Sequence, residues 1–140
     1  MTELNSSHTN KVTPPQRILP VVEKLIAAYK LWHGYRELFP KETKYTLAEK
    51  IDLLLTECME AALTAVFLPR EQKRPFVHKA IIKLDTATVF IRVAWELKSL
   101  DSKKYAALSI PLSEAGRQLG GWHNQLLKQN SATTKVVAEK

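Results

Sequence analysis

Glycine is scarce, four in 140 residues, which leaves little material for the tight turns of a β-rich domain or for loops that cradle phosphates. Neither the glycine fingerprint of a dinucleotide site nor a Walker-type phosphate loop occurs. Cysteine is scarcer still. Cys58 stands alone, which excludes an internal disulfide and leaves a thiolate metal site without ligands. No stretch reaches the ~18 uninterrupted apolar residues that a membrane span requires, and residues 1–17 are polar, without the apolar segment of a secretory signal. A cytoplasmic protein with no membrane partner is expected. Sustained alternation of apolar and polar residues is also missing, so strands are not expected.

Arrangements that carry chemistry are lacking too. A carboxylate-bridged di-iron site in a helical bundle needs Glu-x-x-His pairs, and no glutamate has a histidine three residues later. Glu57 and Glu60 form a single Glu-x-x-Glu of the kind a magnesium-dependent nucleotide pyrophosphohydrolase uses. The matching acidic pair is absent, because Asp85 and Glu96 stand eleven residues apart. His33, His78 and His123 are scattered without a nucleophile at suggestive spacing. No catalytic residue, metal or cofactor is assigned, and the expectation is a protein that is not an enzyme.

What is present is helical periodicity. With 45% hydrophobic and 25% charged residues, the chain has the composition of one globular domain able to bury roughly 68% of its unfolded surface. Residues 1–17, rich in Asn, Ser and Thr, read as a flexible arm, residues 18–130 as an up-down antiparallel four-helix bundle, and residues 131–140 as a flexible tail. The first helix spans Pro20 to Leu38 and buries Val22, Leu25, Tyr29, Trp32 and Tyr35. The second opens on the capping-box pattern Thr46-Leu47-Ala48-Glu49. Its apolar residues Leu47, Ile51, Leu54, Cys58, Ala61, Ala65 and Leu68 then alternate at spacings of four and three, the seam of a left-handed bundle. Leu55, Ala62 and Val66 widen that stripe. The third helix opens at Pro75 and carries Ile81, Leu84, Thr88, Ile91 and Trp95, with Ala80, Ala87 and Ala94 as a second line. The fourth presents Tyr105, Leu108, Leu112, Ala115, Leu119, Trp122 and Leu126, with a kink or break expected at Pro111. Gly120-Gly121 inside it costs roughly 2 kcal/mol relative to alanines, which predicts close approach of another helix or of a ring such as Trp122, with a ligand or phosphate approaching there as the alternative.

Charge is distributed unevenly. Of the formal +7, residues 1–70 hold 9 Lys/Arg against 8 Asp/Glu, and residues 71–140 hold 12 against 6. Lys73, Arg74, Lys79, Lys83, Arg92, Lys103 and Lys104 form the candidate phosphate-binding set, since a one-sided basic surface is what a nucleic-acid partner selects. Solvated helix faces also carry such runs. Phosphate contacts give affinity without sequence readout and weaken with salt.

Two segments, Lys44-Tyr45-Thr46-Leu47-Ala48-Glu49-Lys50-Ile51 and Leu112-Ser113-Glu114-Ala115-Gly116-Arg117-Gln118-Leu119-Gly120-Gly121-Trp122, resemble the small four-helix-bundle family that includes the accessory variability determinant (Avd) proteins of diversity-generating retroelements. Proteins encoded in ribosomal RNA intervening sequences belong to the same family. The resemblance covers roughly residues 21–128 in helix order, and the second segment is its more specific part. It implies a homopentameric barrel with a basic surface, a reverse transcriptase and RNA or DNA as partners, and Gly120, Gly121 and Trp122 as structural or interface residues. Pro111 and His123 depart from the family pattern. Five copies at +7 each carry +35, a self-repulsion that a bound polyanion relieves. The second apolar lines of the second and third helices would then be subunit interface. A protein-only helical scaffold and an intervening-sequence-type role are the alternatives.

Overall fold

The structure, a computed structural model, describes the backbone of residues 20–139 and the side chains of residues 20–131. The arm expected over residues 1–17 lies outside the described residues. Among the described residues five helices follow one another: α1 (Pro20–Arg36), the single turn α2 (Lys41–Lys44), α3 (Leu47–Phe67), α4 (Arg70–Glu96) and α5 (Ser102–Glu139). No strand occurs among the described residues. The four long helices pack together, each against two others, in the cycle α1–α3–α4–α5 and back to α1.

The core lies where the heptad-like spacing places it in α3, but in α4 Ile81 and Trp95 are half-buried and Thr88 is exposed, and Tyr29 and Tyr35 of α1 are half-buried. In α3 the seam residues Ile51, Leu54, Cys58, Ala61 and Ala65 are buried, as are Leu55 and Ala62 of the widened stripe. In α4 the buried line is Val77, Ala80, Leu84, Ala87, Ile91 and Ala94. The alanines of the second line, which the resemblance would place at a subunit interface, therefore face the interior, interleaved with the large residues. Leu55, Ala62 and these alanines consequently cannot form a subunit interface. Leu108, Leu112, Ala115, Leu119 and Leu126 of α5 and Val21, Val22, Leu25, Ala28 and Trp32 of α1 complete the interior. Trp32 is 0% exposed and meets Phe39 edge to face at 5.5 Å. Each large apolar side chain removed from water contributes roughly 1.5–3 kcal/mol. Burial also lifts the Cys58 thiol, with a smaller push from Asp85, to about 12, so the single cysteine is an inert core residue.

Local departures have local causes. α4 starts at Arg70, five residues before Pro75, because Pro69 already supplies the extended N-cap and Leu68 has left α3. Pro75 then sits inside α4, without an N–H to donate to the preceding turn. The early start lets Lys73 Nζ donate to the carbonyls of Ala65 and Val66, at 2.7 and 3.1 Å, which closes the C-terminal end of α3. The capping box at Thr46 does not form: Thr46 makes no cap hydrogen bond, and its hydroxyl instead donates to Glu42 O at 3.4 Å, because α2 sits immediately before it. α5 runs through Pro111 unbroken and stays helical over residues 131–139, where composition suggested a tail. The first helix ends at Arg36, and Leu38 and Phe39 turn back onto Tyr35 and Arg36.

Candidate nucleic-acid interface

α4 carries most of the candidate cations, and its register divides them. Lys79 and Lys83, one turn apart, lie on the flank toward α3, where Lys83 Nζ meets Glu57 at 2.9 Å. Glu57 also senses Lys50 and Lys79, and the Lys83 hydrogen bond leads the effects that hold its carboxyl below the usual range. Lys50, which sequence reasoning missed, therefore joins this flank. It stands seven residues before Glu57 on α3, two turns along the same face.

Arg74 lies toward α5 and acts on His123. Arg92, eighteen residues later, is about five turns along the same flank and is ion-paired to Glu96 at 2.9 Å. Lys104 bonds Asp101 at 2.8 Å. Lys79, Arg74 and Lys103 have no carboxylate at ion-pair distance among the described residues. Lys73 is turned inward as the cap of α3, and desolvation lowers its pKa. The set thus spreads over roughly 28 Å of α4 between Lys73 and Arg92, along two flanks, and continues onto the start of α5.

Two further polar clusters were not anticipated. Asp52 Oδ1 accepts from Tyr29 Oη at 2.8 Å and Trp32 Nε1 at 3.1 Å, and pairs with Arg36 at 2.9 Å. Three donors of α1, spaced three and four residues apart, thereby converge on one carboxylate of α3 and pin the two helices in register. His78 of α4 and His123 of α5 stand with ring centroids 5.5 Å apart. The Nε2 of His123 is buried with no hydrogen-bond partner among the described residues. Burial first, then His78 and Arg74, lower its pKa.

Among the described residues no other helix comes close to Gly120 or Gly121: apart from the adjoining residues, a Cβ at either position meets nothing within 4 Å, whereas one at Gly116 would touch Leu84 at 3.7 Å. Trp122 is half-buried against the core, and with Gly121, Pro20 and Val21 it lines a shallow depression of about 290 Å³. Among the described residues no three of His, Cys, Asp and Glu are grouped to hold a metal ion. No helix among them is long and apolar enough to cross a membrane. Compared with family models and with curated proteins, the chain matches none of them.

Proposed function

We propose that this chain is a non-catalytic nucleic-acid-binding bundle, an accessory to a reverse transcriptase that holds template RNA or cDNA on a basic surface in the manner of the retroelement family it resembles. The observation that carries this is the flank around Glu57: Lys83 Nζ lies 2.9 Å from its carboxylate, and Lys50 of α3 and Lys79 of α4 act on it as well, three lysines against one glutamate. The helices run up and down, antiparallel. Contacts of Lys73 with residues 65 and 66 and of Lys83 with Glu57 fit that arrangement, as do the short connections.

Self-assembly, as a pentamer, belongs to the same proposal, with its interface moved from the buried alanine lines to the outward stripe of α4. Ile82 and Val89 are 50% and 60% exposed there, and Thr86 and Val93 complete a four-three-four spacing. The same stripe is where a polymerase would dock if the chain stays monomeric.

A mobility-shift titration across salt tests the nucleic-acid part. Wild type is expected to lose affinity log-linearly with salt, and Lys79→Gln with Lys83→Gln to reduce that slope by roughly 2. Binding unchanged in the double variant removes the patch, and salt-independent binding removes the proposal.

A further inference from the structure

We infer that the corner between α4 and α5 is a nucleobase-stacking site: a base of single-stranded nucleic acid lies against Trp95 while Lys98 and Lys103 hold the flanking phosphates. This rests on the nucleic-acid proposal above and adds a contact that phosphate electrostatics cannot supply.

Helical spacing places Trp95 at the end of the core line of α4, yet the structure leaves it half-buried. Tyr105 stacks on it with centroids 4.6 Å apart and planes 4° from parallel. Its Nε1 donates to Ser102 Oγ at 3.0 Å. The indole is thus fixed in orientation before any ligand arrives, which lowers the entropy lost on binding. Beside it opens a depression of about 510 Å³ lined by Trp95, Glu96, Lys98, Leu100, Asp101 and Ser102, within the ~300–1,000 Å³ typical of small-molecule sites. Trp95 and Lys98 both line it, whereas Tyr105, stacked on the indole, is not among the lining residues.

The backbone around it is closed. Lys98 adopts φ 66°, with Ser99 N bonded to Ala94 O at 2.9 Å and Lys98 N to Trp95 O at 3.0 Å. This is the Schellman arrangement, with lysine where glycine is usual. Leu100, 2% exposed, anchors the loop in the core. Lys98 itself is exposed.

Charge selects the ligand. Glu96 is matched by Arg92 at 2.9 Å and Asp101 by Lys104 at 2.8 Å. Lys98 and Lys103 have no ion-pair partner among the described residues. Four cations against two carboxylates leave the corner at +2, which repels a cationic peptide and attracts a phosphodiester. An aromatic ring beside exposed lysines, here Lys98 in the lining and Lys103 next to Ser102 in the chain, is the combination by which proteins hold single strands without reading sequence.

The test is an anisotropy titration of the full chain with a short labelled single-stranded oligonucleotide and with an abasic oligonucleotide of the same length and phosphate count. Wild type should bind the base-bearing strand roughly tenfold more tightly. Its tryptophan fluorescence should be quenched by that strand only. Trp95→Leu should bind both strands as wild type binds the abasic one, and Trp95→Phe should keep most of the preference, with thermal melts confirming both folds. Equal wild-type affinity for the two strands, or a preference surviving in Trp95→Leu, overturns the stacking site and leaves the basic surface standing. Failure of both strands to bind at low salt overturns the nucleic-acid proposal itself. Should Trp95→Leu not fold, the wild-type quenching comparison decides alone.

Discussion

Gly120 and Gly121 show how a single residue type can mislead. Two adjacent glycines in a helix imply a neighbour too close for a Cβ, yet no described residue beyond the adjoining ones comes within 4 Å of a Cβ at either position. Alanine at either position is therefore expected to stabilise the fold by about 0.5–1 kcal/mol, mostly by restricting the unfolded chain, and a thermal melt should show a rise of a few degrees. A fall would mean that a group beyond the described residues, such as a second copy, covers that surface. His123 makes a second prediction at this scale. Its folded pKa lies below the ordinary imidazole value because burial, His78 and Arg74 all disfavour the charged ring. The unfolded chain then takes up a proton that the folded chain refuses, so stability is full above about pH 6.5 and falls as pH drops through that value toward the folded pKa. Denaturant midpoints measured between pH 7.5 and 5.5 check this. His123→Gln should flatten the part of the decline due to this ring.

Pairs of helices are held by contacts that join residues far apart in the chain. Asp52 is the acceptor for three groups of α1, and Arg36 Nε already lacks a partner among the described residues. Removing the carboxylate leaves two aromatic donors and a partly buried guanidinium unsatisfied. Asp52→Ala is expected to cost roughly 2 kcal/mol in urea denaturation, a large share of a domain's stability. An effect below about 0.5 kcal/mol would show that solvent satisfies those donors. Lys73 acts in the same way between α3 and α4, as a cap made by a side chain rather than by a glycine turn.

For the whole molecule the outward stripe of α4 matters most, because Ile82 and Val89 expose apolar surface on a helix whose own core is complete. Val89→Asp should leave the melting temperature nearly unchanged, as an exposed position, and should lower the mass seen by light scattering if copies associate there. A wild-type monomer at micromolar concentration would remove the assembly part of the proposal. Helix content, the seam of α3 and most of the interior were legible in the chain itself, since the three-and-four spacing that buries Ile51, Leu54 and Cys58 is local information repeated every turn. The inward direction of Ala80, Ala87 and Ala94 was not, because period alone shows that residues share a face and not which neighbour that face meets. Pairs one turn apart, Arg92 with Glu96 and Lys104 with Asp101, were open to the sequence, but the state of the cations that meet another helix was not. Lys83 finds Glu57, Lys73 finds the end of α3 and Trp95 leaves the core line for Tyr105 only once the helices have packed, and ion pairs and ring stacks depend on distances between helices that packing alone decides.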